Sequence, residues 1–167
     1  MKKTIVIITL AVYIASIAIV NFFGLEIKMY DGEIYITSIQ CDTVTLHNEN
    51  PIELYPTTYL GANGDIPLFE FTFIPKVDGT DYTYDDESIA TNPNAIELTP
   101  IVNPYNADKY AIEYVYDSEA MEGVAVFRED IATLVFLKPG TIFTITIKST
   151  DGLNKSTTVA IRGKLPQ

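Results

Sequence analysis

The feature that most constrains the fold is a two-residue alternation of apolar and polar side chains that recurs in short segments from residue 33 onward. In residues 67–74, for example, Phe69, Phe71 and Phe73 alternate with side chains of mixed character. Successive side chains of a β-strand point to opposite faces, so this alternation predicts strands with one core-directed face. No segment after residue 30 keeps a helical period for more than two turns.

The alternating segments are short and are separated by residues that favour turns, among them Asn63-Gly64-Asp65 and Asp151-Gly152. They predict eight to ten strands, which cover residues 33–37, 43–46, 67–74, 95–101, 109–116, 123–127, 132–137, 141–148 and 156–162. Strands at this spacing indicate an all-β protein. A β-sandwich is the favoured architecture, and a β-barrel is the alternative. No linker or repeat divides them, so we expect one domain over residues 33–163, followed by a tail over 164–167.

A different pattern occupies the N-terminus, where residues 4–25 form an apolar run with no charged side chain. Twenty-two residues at about 1.5 Å each give a helix of roughly 33 Å, which matches the hydrocarbon thickness of a bilayer. Lys2 and Lys3 precede the run, whereas Glu26 and Asp31 follow it. The positive-inside rule therefore predicts cytoplasmic residues 1–3, a transmembrane anchor over 4–25, a stalk over 26–32 and an extracytoplasmic C-terminal domain.

Two alternatives to a simple anchor remain open. Ser16-Ile17-Ala18 has the small residues that a signal peptidase accepts, in which case the domain would be secreted. Ala11, Ala15 and Ala18 recur at helical spacing and could pack against another membrane helix. The chain would then be a single-pass accessory subunit of a larger membrane assembly.

The charge of the chain excludes some partners. Its formal net charge is −11, and Lys2 and Lys3 are two of its 11 basic residues, so the remainder carries nine basic residues against 22 acidic ones. Such a surface repels phosphate backbones, which argues against nucleic-acid binding. It also repels anionic lipid headgroups, so we expect contact with the bilayer only through the N-terminal helix.

Several segments resemble bacterial immunoglobulin-like domains of group 2, the intimin- and invasin-related type. The similar segments are residues 98–109 with a V-x-P-x-x-A turn, 110–119, 124–126, 137–147 around Pro139-Gly140, and 157–161. Residues 43–55 could form a split first strand, with 69–94 inserted after it; residues 84–91 offer another register. The resemblance implies an immunoglobulin-like β-sandwich that acts as a spacer or an adhesive module and carries no catalytic residues.

The residues themselves show little catalytic chemistry. His47 is the only histidine and Cys41 the only cysteine, and no nucleophile elbow or phosphate-binding loop occurs. We expect His47 to lie in a surface turn and Cys41 to be a small buried side chain that forms no disulfide. The chain is thus predicted to be no enzyme and to need no cofactor.

The best candidate for a metal site is an acidic loop over residues 78–87. Calcium prefers several carboxylate oxygens from a flexible loop, and five are available there, although the spacing matches no EF-hand. The candidate calcium ligands are Asp78, Asp81, Asp85, Asp86 and Glu87. The competing interpretation is a solvated acidic loop, and Asp117, Glu119 and Glu122 form a second, looser acidic set.

Tyrosine is abundant, with 11 residues against no tryptophan, and tyrosine is enriched at protein interfaces. The candidates in the central loops and strands are Tyr82, Tyr84, Tyr105, Tyr110, Tyr114 and Tyr116. Tyr114 and Tyr116 share one strand face, which we expect to be the core face. The predicted function is an extracytoplasmic module at the cell surface that binds or spaces protein partners.

Overall fold

The computed structural model describes residues 34–47, 50–77, 79–80, 82, 89, 92–107 and 111–166. These residues belong to one compact unit, Glu33–Gln167, and are mostly β-strand. In the described part the strands are β1 (Ser38–Gln40), β2 (Val44–Leu46), β3 (Ile52–Leu54), β4 (Thr58–Leu60), β5 (Ile66–Thr72), β6 (Ala95–Leu98), β7 (Ile101–Asn103), β8 (Ile112–Tyr116), β9 (Ala125–Arg128), β10 (Thr133–Phe136), β11 (Ile142–Ser149) and β12 (Ser156–Lys164). A four-residue helix, α1 (Ser118–Met121), and a 3-10 turn, Glu129–Ile131, interrupt them.

The strands form two five-stranded sheets and a two-stranded ribbon. Sheet I has the order β3-β2-β6-β10-β9, with every neighbouring pair antiparallel. Sheet II has the order β4-β5-β12-β11-β8, in which β5 and β12 are parallel and the other pairs antiparallel. β1 and β7 make the ribbon.

The two sheets pack face to face around one main apolar core. Phe136 of sheet I contacts two rings of sheet II, with centroids 5.2 Å from Phe71 and 5.5 Å from Phe143. Both contacts are edge-on or tilted, the arrangement that the charge distribution of aromatic rings favours. The alternation in the sequence explains this core, because the buried residues of β11 are every second one. The sandwich-like, all-β architecture expected from the sequence is confirmed.

One edge of the sandwich is built differently from the rest. After β2 the chain adds β3 to the outside of sheet I, crosses over, and adds β4 to the outside of sheet II before it enters β5. Residues 50–65 therefore pass from the edge of sheet I to the edge of sheet II, and β3 and β4 are the edge strands there.

Some predicted boundaries differ from those of the structure. Residues 34–37 are not in a strand, and the strand begins at Ser38. Residues 95–101 were expected to form one strand, but Thr99-Pro100 separate β6 from β7, since proline lacks the N–H that a ladder needs. β3 lies within residues 43–55, which the resemblance gave as a possible split strand, whereas β4 was not predicted. β12 continues to Lys164, one residue into the expected tail.

The predicted anchor over residues 4–25 and the predicted stalk over 26–32 lie outside the described residues. Among the residues that the structure does describe, no helix has the length and apolar character needed to cross a bilayer.

Candidate functional site

The five candidate calcium ligands, Asp78, Asp81, Asp85, Asp86 and Glu87, lie outside the described residues, so a calcium site there stays a prediction. Within the described ranges, no three histidine, cysteine, aspartate or glutamate side chains come together in a way that could hold a metal ion.

The three carboxylates of the second acidic set, Asp117, Glu119 and Glu122, have different surroundings. Asp117 caps α1, because its Oδ1 accepts hydrogen bonds from the N–H groups of Glu119 (3.1 Å) and Ala120 (3.0 Å). Glu119 and Glu122 instead border an open pocket of about 500 Å³ beside β9, with Met121 and Phe127 among its lining residues. The three carboxylates therefore do not share one ligand.

Tyr114 and Tyr116 lie on the same face of β8, as predicted, and both pack on the core. Their rings meet Phe127 edge-on, with centroid distances of 5.2 and 5.1 Å. The Tyr116 hydroxyl donates a hydrogen bond of 3.0 Å to Glu129 Oε1. Burial raises the pKa of Tyr116, and the hydrogen bond to Glu129 and the charge of Glu129 raise it further. Both rings are partly buried against the core, and Tyr116 also lines the pocket beside β9.

His47 follows β2 and links it to β6. Its Nε2 lies 3.2 Å from Glu97 Oε2, and its main-chain N–H donates to the carbonyl of Ala95 (2.8 Å). The side chain is 23% exposed, so it rests against the sheet more closely than a surface turn would require. Its contacts are those of a cross-strand pair.

A second concave site in the described part lies at the edge of the sandwich that carries β4. It is a cleft of about 410 Å³, which we call the tyrosine cleft, and its lining residues come from four separate parts of the chain. They are Gln40, Cys41, Asp42, Tyr55, Pro56, Tyr59, Asp65, Pro67 and Thr157. The tyrosines are exposed, at 64% for Tyr55 and 58% for Tyr59, whereas Cys41 is buried as expected.

Hydrogen bonds and strand pairing hold the tyrosine-bearing segment in place. The Thr57 N–H donates to the carbonyl of Leu68 (2.9 Å), and the Thr57 hydroxyl donates to Glu70 Oε2 (2.9 Å). Tyr59 lies in β4 opposite Pro67 of β5. The segment that carries both rings is thus fixed to sheet II before any ligand arrives.

The tyrosine cleft has an acidic character. Asp42 and Asp65 are exposed, and none of the described residues that line the cleft is basic. The ion pairs of the described part join other residues, so neither carboxylate is neutralised by a lysine or an arginine there. The cleft therefore combines apolar and aromatic side chains with two carboxylates that form no ion pair in the described part. Such a lining suits a ligand with a positive charge and a flat or apolar surface.

Sequence reasoning missed this cleft because it singled out tyrosines of the central loops and strands. Among the described tyrosines that the sequence singled out, only Tyr105 is strongly exposed, at 89%, and it lies in a loop. The signal for the cleft was the run Tyr55-Pro56-Thr57-Thr58-Tyr59, in which two tyrosines lie on either side of a proline at the end of the segment 43–55.

Comparisons with known proteins add no relative: no family model, no curated protein and no solved structure matches this chain.

Proposed function

We propose that this chain is a membrane-anchored, extracytoplasmic binding module with an immunoglobulin-like β-sandwich and no catalytic activity. The observation that carries the proposal is the strand order. In an immunoglobulin-like sandwich the first, second, fifth and fourth strands form one sheet, and the third, sixth and seventh form the other.

The order of the described strands agrees with that arrangement when the strands are assigned in chain order. β2, β6, β10 and β9 would be the first, second, fifth and fourth strands, and they are neighbours in that order in sheet I. β8, β11 and β12 would be the third, sixth and seventh, and they are neighbours in sheet II. β5, which pairs with β12, would be the second half of a split first strand. The strand order supports the proposal of an immunoglobulin-like sandwich independently of the sequence motifs.

A binding role follows from what the domain offers to other molecules. His47 contacts Glu97 and Cys41 is buried, so the two side chains with the most catalytic potential make structural contacts. The tyrosine cleft, in contrast, presents two exposed aromatic rings on a fixed segment. Exposed tyrosines in a concave site are typical of recognition surfaces.

The anchored location rests on the sequence of residues 1–31, and a protease experiment tests it. The chain is expressed with a C-terminal tag, and intact cells are treated with a protease that cannot enter them. We expect loss of the tag, together with a mass that includes residues 1–25. A protected tag would contradict the proposed topology, and a mass beginning after Ala18 would show secretion or release by cleavage.

A matched variant checks that the positive charges set the orientation. Lys2→Glu with Lys3→Glu should lower the fraction of chains whose tag is accessible, because the flanking cations retain the N-terminus in the cytoplasm. Glu119→Lys with Glu122→Lys changes charge far from the anchor in sequence and should leave that fraction unchanged.

The accessory-subunit alternative requires the predicted anchor to pack against another membrane helix. Ala11→Leu with Ala15→Leu would place large side chains on the small-residue face and would disrupt close helix packing. Under the binding-module proposal, surface display of the tag is unchanged in this variant. Loss of display, or loss of a co-purifying membrane protein, would favour the subunit alternative.

A further inference from the structure

We propose that the tyrosine cleft binds the basic side chain of a protein partner, and that it prefers arginine to lysine. The inference deepens the proposed binding function and rests on it, since it names the group that the module would recognise. It is carried by the aromatic rings, the carboxylates and the rigidity of the cleft.

The aromatic rings supply a surface for a cation. Tyr55 and Tyr59 both line the cleft and are both more than half exposed, so their rings are accessible to a ligand. A cation within about 6 Å of a tyrosine centroid is attracted by the negative face of the ring. A guanidinium is planar and weakly hydrated, so it stacks on such a face at a lower desolvation cost than an ammonium.

The carboxylates supply the charge and the hydrogen-bond acceptors. Asp42 and Asp65 both line the cleft, and no basic residue among those described lines it with them. Glu53 lies outside the lining, but its Oε2 accepts a hydrogen bond of 3.4 Å from the Tyr55 hydroxyl. The fork of N–H donors on arginine matches a carboxylate in a bidentate geometry, which lysine cannot do.

The same charges argue against other classes of ligand. A phosphate brings a negative charge, and none of the described lining residues could neutralise it. Phosphocholine also carries a quaternary ammonium that could contact the tyrosine rings, but its phosphate is repelled by the two carboxylates and it has no N–H donor to offer them. A neutral sugar could stack on the tyrosines, but it would gain nothing from the negative charge of the carboxylates. The acidic balance of the whole chain, with a net charge of −11, also steers basic partners toward the domain.

The cleft is formed before binding, which lowers the entropic cost of recognition. Pro56 restricts the backbone between the two tyrosines, and Thr57 is fixed to β5 by its main-chain and side-chain hydrogen bonds. A partner side chain therefore enters a shaped site and does not have to order a mobile loop.

The experiment follows the tyrosine ring signals of the full chain in detergent micelles by NMR, with ring-labelled tyrosine. The probes are Nα-acetylarginine amide, Nα-acetyllysine amide, phosphocholine and methyl glucoside. We expect saturable shifts of the Tyr55 and Tyr59 rings with the two amino-acid amides, with arginine tighter, and weaker binding as salt is raised. Phosphocholine and the glucoside should both bind more weakly than the arginine amide.

Three variants make the test specific. Asp65→Asn and Tyr59→Ala should each weaken arginine binding by roughly fivefold, the factor expected for about one exposed cation–π or charge-assisted contact. Tyr105→Ala removes a tyrosine outside the cleft that is even more exposed, and it should leave the affinity unchanged. Unaltered amide spectra and melting temperatures confirm that the variants are folded.

Several results would overturn the inference. These are the absence of saturable shifts with arginine, equal weakening by Tyr105→Ala, and tighter binding of the sugar or of phosphocholine. Such a failure is distinguishable from failure of the proposed function, because the protease experiment on the C-terminal tag does not depend on the cleft.

Discussion

The main-chain N–H of Ile36 donates a hydrogen bond of 2.6 Å to Oδ2 of Asp151, a residue 115 positions later in the chain. Asp151 lies in the turn between β11 and β12, and its Oδ1 accepts from the Ser149 hydroxyl (2.9 Å) and the Leu153 N–H (3.0 Å). One carboxylate therefore orders the turn and also binds the segment through which the chain enters the sandwich.

Replacing Asp151 by alanine should release this segment. We expect the Ile36 amide to exchange its hydrogen faster by on the order of tenfold, the effect of losing a hydrogen bond to a charged acceptor. Hydrogen exchange followed by NMR measures it. Asp130→Ala removes an exposed carboxylate that pairs with Arg128, and it should leave the Ile36 rate unchanged.

The same contact should depend on acid. Burial opposes ionisation of Asp151, but hydrogen bonds from the N–H groups of Leu153 and Ile36 outweigh it and hold its pKa below the ordinary value. Because the folded-state pKa is lowered, the stabilisation is complete above the unfolded-state pKa and is lost as the pH falls through the folded-state value. Protection of Ile36 that did not decline in acid would contradict this role.

Glu70 should be the more important carboxylate for stability in acid. Its side chain is 8% exposed and contacts Arg162 and Lys164 of β12, the latter at 2.5 Å from Oε2. Burial opposes its ionisation, but hydrogen bonds from Lys164, Arg162 and Thr57 prevail and lower its pKa from 4.5 to about 2. Glu70→Gln should reduce the free energy of unfolding at neutral pH by about 1–2 kcal/mol.

The pH dependence gives the control for Glu70. The wild-type chain should lose this contribution as the pH falls from about 4.5 toward 2, whereas the Gln variant should show a smaller decline over that window. Glu113→Gln removes the exposed pair with Lys148 and should change the stability little. Denaturant unfolding at pH 7, 4 and 3 distinguishes the three chains.

The sequence predicted the strand faces well and the long-range arrangement poorly. Phe69 and Phe71 of β5 and Phe73 just after it are buried, as their alternation predicts, although Leu68 on the opposite face is buried as well. That Glu70 would meet Arg162 was not predictable, since the parallel pairing of β5 and β12 joins segments that are distant in the chain.

The tyrosine cleft also depends on long-range arrangement, so it was not predictable from local sequence patterns. The tyrosine cleft combines Asp42, Tyr55, Asp65 and Thr157, which approach one another only after the chain has passed from sheet I to sheet II. The short edge strands β3 and β4 gave little periodic signal, because three residues are too few to display an alternation.

Gly163 of β12 leaves little space for a side chain beside Phe71 of β5. It pairs with Phe71 across β5 and β12, and a Cβ added to it would lie 2.9 Å from the Phe71 ring. Phe71 cannot move freely, since it is buried and packs against Phe136. Gly163→Ala should therefore destabilise the domain by about 1–3 kcal/mol, measured by denaturant unfolding.

A second substitution isolates the cause. Phe71→Leu shortens the side chain that the new methyl group would meet, so Gly163→Ala should cost less in that background than in the wild type. Equal costs in both backgrounds would show that the ring does not limit the space at residue 163.

Cys41 lies beneath the tyrosine cleft and should react slowly with thiol reagents. Its side chain is 2% exposed, and its thiol contacts the carbonyl of Thr43 at 3.5 Å. Burial raises the pKa of Cys41 to about 11, with a smaller opposing effect from a hydrogen bond to the Thr99 backbone and a further increase from the charge of Asp42. Since the thiolate is the reactive form, alkylation of the native chain at neutral pH should be on the order of a hundredfold slower than in denaturant.

The Asp42→Asn variant should accelerate alkylation of Cys41 only slightly, because burial and not the carboxylate is the main cause of the raised pKa. Iodoacetamide labelling followed by mass measurement decides the matter: equal rates in native and denatured chains would mean that the loop between β1 and β2 does not cover the thiol.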